Sequence, residues 1–277
     1  MELWNFRGKQ DSIAEALHVS IPDHAVICLT GAGGKTSLLL AWAKELTSAG
    51  KRTVITTTTH MFNPACKDRP DSHIYKGIPV VFVDTDYDSN HEDNASNTEQ
   101  DKYKQRIIAD MDALLDEHGL AMIATPDPSN PNKVMSPPEW VLDYFSKSAD
   151  VLIIEADGSR RMPIKWPAPW EPVVPENTDI TVCVAGLSSL GKPLPDVMYR
   201  AGHLPANLDR EAVDEVLLSA IMSSPDGGQK GARGEFRIYM NQADNDSLRE
   251  SASQIQKMLA VRGLQSAWGS LKVACAR

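Results

Sequence analysis

Apolar residues in this chain fall into short continuous runs separated by longer stretches with helical spacing. Ala25-Val26-Ile27-Cys28-Leu29, Asp150-Val151-Leu152-Ile153-Ile154, Thr181-Val182-Cys183-Val184-Ala185 and Phe236-Arg237-Ile238-Tyr239-Met240 read as strands, several of them apolar on both faces. Such runs suit a parallel sheet covered by helices on each side. Arg52–Thr56, Ile78–Val83 and Leu120–Ala124 predict further strands. Between them, apolar residues at three- and four-residue intervals predict helices over 101–118 and 139–148 and over about 11–20, 209–223 and 246–262. The run Leu38–Leu46 predicts another, ending near Ala49-Gly50, a natural C-cap. Strands alternating with helices predict an α/β fold with a mostly parallel sheet and helices on both faces, a three-layer architecture like that of phosphate-loop NTPases, in one domain over 1–277. Two stretches fall outside the pattern: a proline-rich turn from Pro126 to Pro138, and an acidic segment at 84–100 that reads as a solvated insertion.

Composition narrows the function classes. The chain carries 28 basic and 37 acidic residues, a net charge of −9, so it lacks the basic excess of a general nucleic-acid or membrane-surface binder. Its 42% hydrophobic content is enough for a substantial core. Cys28, Cys66, Cys183 and Cys275 form no CxxC pair, as expected of a reduced, cytoplasmic protein. The N-terminal residues lack a signal-peptide core, and no apolar run is long enough to span a membrane.

The strongest chemical signal follows the first apolar run. Thr30-Gly31-Ala32-Gly33-Gly34-Lys35-Thr36-Ser37 places glycines, then Lys-Thr, between a strand and a helix. Glycines let backbone N–H groups close around phosphate oxygens, and the helix N-terminus adds partial positive charge. Lys35 is the candidate for neutralising phosphate charge and Thr36 for holding Mg²⁺. The pattern departs from the full phosphate-loop consensus at Leu29, where that consensus has glycine.

Three further segments follow predicted strands, where parallel sheets bind ligands. Glu155-Ala156-Asp157-Gly158 offers Glu155 or Asp157 as Mg²⁺ ligands or catalytic acids, and Gly158 as a backbone sensor of the terminal phosphate. Arg160, Arg161 and Lys165 are candidates for holding an anionic substrate or transition-state charge, or for a solvated face. Thr56-Thr57-Thr58-Thr59 reads either as hydroxyls for a ligand, Thr59 foremost, or as a β-branched strand edge. Asn241-Gln242-Ala243-Asp244 is similar to the guanine-reading element of GTP-binding proteins, with Gln242 in place of its lysine, so Asn241 and Asp244 are candidate base contacts.

In combination these segments resemble the YqeC family of selenium-cofactor biosynthesis proteins. The resemblance rests on Gly31–Thr36, Thr56–Phe62, Glu155–Ser159, Glu171–Pro175, Gly186–Leu194 and, loosely, Asn241–Asp244. It implies a role in preparing or inserting a selenium-containing molybdenum cofactor, with an anionic cofactor and a molybdenum hydroxylase as partners. Arg200 and His203 lie where that family tends to carry a His-Arg pair, in different order and spacing, and neither is assigned a catalytic role. The resulting expectation is Mg²⁺-dependent binding and hydrolysis of ATP or GTP. An amide ligase, a small-molecule kinase and a non-hydrolysing chaperone are the competing readings of the same loop.

Overall fold

The structure is a computed structural model that describes residues 1–66, 75, 77–84 and 97–271. Strands β1 (Glu2–Asn5) and β2 (Gly8–Gln10) form a hairpin, and helix α1 (Ile13–Leu17) follows. Next come β3 (Ala25–Gly31), α2 (Lys35–Ser48), β4 (Thr53–Thr57), β5 (Met61–Phe62) and β6 (Val80–Phe82). The middle of the chain holds α3 (Asn97–His118), β7 (Leu120–Pro126), β8 (Lys133–Met135), α4 (Glu139–Ser148), β9 (Val151–Glu155) and β10 (Ile164–Lys165). Then follow β11 (Ile180–Gly186), α5 (Leu194–Val197), β12 (Met198–Tyr199), α6 (Glu215–Ser223), β13 (Glu235–Asn241), α7 (Asp246–Val261) and β14 (Ser266–Ser270).

The main sheet is parallel through β14-β13-β11-β3-β9-β4-β7, with β6 also parallel on β7. Antiparallel pairs occur only at its margins among the described residues: β1 with β14 and β2, and β8 with β7 and β5. Strand β9 inserts between β3 and β4, after which the chain passes to the other side of β3 with β11, β13 and β14. The strand order therefore reverses around β3, and ligands of open parallel sheets bind at such switch points, beyond the strand C-termini.

Continuous apolar runs on β3 and β9 are explained by two-sided burial. Ala25, Ile27, Leu29, Val151 and Ile153 pack into one core with Leu38, Leu39, Trp42 and Leu46 of α2. Their neighbours Val26, Cys28, Leu152 and Ile154 pack into another with Ile107, Met111, Leu115, Val141 and Phe145 of α3 and α4. On β11, Cys183 and Ala185 face a third core built with α6 and α7. The result is an α/β sheet between two helical layers.

Several predicted boundaries move. The sequence places the helix after the glycine turn at 38–46, but it starts at Lys35. The helix expected from 209 starts at Glu215, because the Asp214 carboxylate caps it by accepting the Leu217 N–H at 2.6 Å. Residues before it run irregularly, with a bridge between Pro193 and Ala212. The proline-rich turn at 126–138 contains β8. Helix α3 starts at Asn97, inside the segment read as a solvated insertion; residues 85–96 of that segment, and Cys275, lie outside the described residues. Hydrophobic pattern marks neither the N-terminal hairpin nor β14 as strands. These strands are short and mixed in polarity, and pairing defines them: Trp4 stacks on Trp268 across β1 and β14 at 5.4 Å.

Candidate active site

The glycine turn connects β3 to α2 over the C-terminal edge of the sheet. Its glycines are required by space and by dihedral angle. Gly31, Gly33 and Gly34 have φ of 87°, 79° and 124°, and a Cβ on Gly33 would strike Gly186 and Pro163. The turn is tied down from outside: Ala32 N–H donates to Val184 O at 2.9 Å and Gly33 N–H to Met162 O at 3.1 Å. Asn241 secures it from β13, donating to Gly33 O at 2.9 Å and accepting the Leu271 N–H at 3.3 Å. The first intrahelical bond of α2 is Leu38 N–H to Gly34 O. Among the described residues the N–H groups of Lys35, Thr36 and Ser37 have no acceptor, so the first turn of α2 presents its donors to the cleft.

Beneath the turn lies a buried charge network. Lys35 Nζ donates to Gly31 O at 2.7 Å and pairs with Asp157 Oδ1 at 3.1 Å and Glu155 Oε1 at 3.8 Å. Asp157 Oδ2 accepts the Gly31 N–H at 3.0 Å and pairs with Lys165 Nζ at 3.0 Å. Lys165 also meets Glu171 at 2.9 Å, and Glu171 meets Arg200 at 3.4 Å. Lys35, Lys165 and Arg200 thus balance Glu155, Asp157 and Glu171. Burial disfavours the Lys35 ammonium, but the Asp157 and Glu155 charges outweigh it and hold its pKa above the ordinary lysine value. Burial pushes the Glu155 carboxyl above its usual range, against the pull of Lys35 and of the Thr36 hydroxyl.

Thr36 Oγ1 donates to Glu155 Oε2 at 2.7 Å, so the hydroxyl after the lysine and the carboxylate ending β9 meet at the cleft floor. Two hard oxygen donors fit Mg²⁺, which uses one or two carboxylates and completes its shell with water and phosphate. The described residues contain no cluster of three His, Cys, Asp or Glu side chains able to hold a metal without that help.

The cleft has a volume of about 1060 Å³ and is lined by the turn, Thr58, Thr59, Glu155, Gly158 and the segment Ser159–Met162. Of the four threonines, Thr56, Thr57 and Thr58 donate their hydroxyls to Ile123 O, Glu155 O and Val173 O. Thr59 stands next to Gly158, at 3.8 Å from the position of a Cβ there. Glu155 lines the cleft, whereas Asp157 lies under the turn, engaged by Gly31, Lys35 and Lys165. Asn241 and Asp244 do not line it: Asn241 is a brace of the turn, and Asp244 accepts from Ser270 Oγ at 2.7 Å. Arg160, Arg161 and Arg200 line the cleft, Lys165 sits below it, and His203 is elsewhere. Glu171 was not legible as a site residue, because only the fold brings it against Lys165 and Arg200.

The model of the YqeC protein family matches residues 27–202, from within β3 to the turn after β12, and so takes in every cleft-lining residue except Gln242. This chain belongs to the YqeC family. A relative, the uncharacterized protein YqeC of Escherichia coli strain K12, is 36% identical over 174 residues, 60% of this chain. The chain spans about half of that relative's length, since the match covers 53% of it. The family match includes the glycine turn, the threonine segment, Glu155, Asp157, Lys165, Glu171 and Arg200, and stops before Asn241. No described helix is long and apolar enough to cross a membrane.

Proposed function

We propose that this protein is a cytoplasmic Mg²⁺-dependent nucleoside triphosphatase that binds ATP or GTP in the cleft beside the glycine turn. One observation carries the reading: the unpaired amides of the first turn of α2 stand beside a Thr36 hydroxyl and a Glu155 carboxylate 2.7 Å apart. Amides at a helix N-terminus suit phosphate oxygens, and the hydroxyl–carboxylate pair suits the accompanying Mg²⁺. Bound there, Mg²⁺ supplies Lewis-acid neutralisation of charge on the transferring phosphoryl group. The protein's own part is positioning. The α2 amides orient the phosphates, and Asp157 holds the turn through Gly31. Lys35 supplies positive charge immediately beneath it. Lys35 also lines the cleft, so triphosphate charge is met by the metal, the α2 amides and the Lys35 ammonium. We further propose, from the family resemblance, that turnover serves maturation or insertion of a selenium-containing molybdenum cofactor in a partner hydroxylase.

Phosphate release from ATP and GTP, with and without Mg²⁺, tests the triphosphatase. Wild-type turnover is expected to require Mg²⁺, and Thr36→Ala and Glu155→Gln are each expected to lower kcat/KM by about 100-fold, as for groups that stabilise transferring charge. Turnover that ignores Mg²⁺ and both substitutions contradicts the proposal.

A further inference from the structure

The phosphate end of the cleft leaves the base of a nucleotide without a partner. Asn241 and Asp244, from the segment similar to a guanine-reading element, do not line the cleft. Another part of its wall is apolar and exposed. Of the six tryptophans in the chain, Trp170 alone is exposed; the others are buried or half-buried. Trp170 is 67% exposed and Val173 52%, and both line the cleft. Large apolar side chains left in water on one short segment of a concave site mark a place that a ligand covers. That segment is anchored to the floor of the site. Val173 N–H donates to the carbonyl of Ala156, the residue after Glu155, at 3.1 Å, and Thr58 Oγ1 donates to Val173 O at 2.7 Å. Glu171 N–H donates to Ala168 O at 3.0 Å, and the Glu171 carboxylate meets Lys165 and Arg200. Arg200, held by Glu171, stands 5.3 Å from the centroid of the Trp170 ring and props one face of it.

We infer that Trp170, with Val173 of the same segment, is the platform on which the base of the bound nucleoside triphosphate stacks, a role that rests on the proposed nucleotide site. The backbone bond from Val173 to Ala156 sets this segment beside the Glu155 strand end, where the Mg²⁺-bound phosphates would lie. The cleft, at about 1060 Å³, has room for a whole nucleotide, since sites for small molecules run to roughly 300–1,000 Å³. One face of the Trp170 ring is propped by Arg200 and the residue is still 67% exposed, so the opposite face is the one a base would cover. Stacking of this kind is insensitive to base identity, because every nucleobase has a π-face. The site therefore prefers a nucleoside triphosphate to bare triphosphate and does not distinguish one purine from another.

Calorimetric titration of the full chain with Mg-ATP, Mg-GTP and inorganic Mg-tripolyphosphate tests this. The wild type is expected to bind ATP and GTP within about threefold of each other, and tripolyphosphate at least about tenfold more weakly. Trp170→Ala should weaken both nucleotides by about tenfold and leave tripolyphosphate within about twofold. Trp170→Phe, which keeps a ring, should recover most of the loss. The side chain is exposed, so both variants are expected to fold, and unchanged circular dichroism checks that. A merely structural role for Trp170 would weaken tripolyphosphate as much as the nucleotides, and that result would overturn the platform. So would nucleotide affinities indifferent to Trp170→Ala, or ATP and GTP affinities far outside the threefold range. Where nucleotides bind the wild type and Trp170→Ala changes nothing, the platform alone fails. Where neither nucleotides nor tripolyphosphate bind, the phosphate site itself fails, and the platform with it.

Discussion

A buried charge is tolerated only when it is answered, and at residue scale the site is governed by how Lys35 is answered. Its ammonium is held by two carboxylates and a carbonyl under the turn. Removing one partner of such a network leaves an unbalanced charge, which costs about 3–5 kcal/mol. Lys35→Met is therefore expected to lower unfolding free energy by about that much, and adding Asp157→Asn to restore much of it, as read by denaturant unfolding. Equal stability of wild type and Lys35→Met would show that the network is not balanced as described. The cysteines make a second residue-scale prediction. Burial pushes the thiols of Cys28 and Cys183 up to about 12, so neither is expected to react with iodoacetamide at about pH 8 in the folded chain. Peptide mapping of the alkylated protein checks this. That Lys35, Thr36 and an acid ending a later strand would come together was legible from order alone, because strand, glycines, lysine, threonine and acidic strand end each carry a local signal. The choice between Glu155 and Asp157 was not, since it depends on which carboxylate faces Thr36 across the sheet.

At the scale of elements, two polar contacts tie distant segments together. Asn241 joins β13 and the residue after β14 to the glycine turn. Losing it leaves Gly33 O and Leu271 N–H unpaired, so Asn241→Ala is expected to cost about 1–3 kcal/mol and to weaken Mg-nucleotide binding. The sequence element around it is similar to a guanine-reading element; in the fold its asparagine bonds the turn and its aspartate accepts from Ser270. Glu45 of α2 receives the first N–H of α1, with both carboxylate oxygens within 3.0 Å of Ile13 N. Burial raises the Glu45 pKa above its ordinary 4.5, more than the Ile13 N–H lowers it. The folded chain then keeps that proton longer than the unfolded chain, so this group's contribution to stability falls as pH rises through the region just above 4.5. Thermal midpoints of wild type and Glu45→Gln between about pH 4 and 7 are expected to show the wild type losing ground as pH increases. A parallel pair of curves would contradict it. Helix caps such as Asp214 explain why predicted helix starts slipped: one carboxylate decides the boundary, and apolar periodicity does not register it.

For the whole molecule, the central strands were legible because two-sided burial writes continuous apolar runs, and β3, β9 and β11 are buried along nearly their whole length. The marginal strands were not, because β1, β2 and β14 are defined by one another more than by their own residues. The cleft was legible only in part: Arg160 and Arg161 stand out in the sequence, while Tyr199, Trp170 and Phe62 come from separate segments that the fold gathers. What unites these scales is the claim that the strand order reverses at β3 in order to place the first turn of α2 against an anion. The most direct measurement is calorimetric titration of Mg-ATP and Mg-GTP into the wild type and into the charge-balanced Lys35→Met/Asp157→Asn variant. The account predicts saturable binding of at least one nucleotide by the wild type, dependent on Mg²⁺, and a loss of about 100-fold or more in the folded variant. A folded wild type that binds neither nucleotide, or a variant that binds as well as wild type, would contradict it.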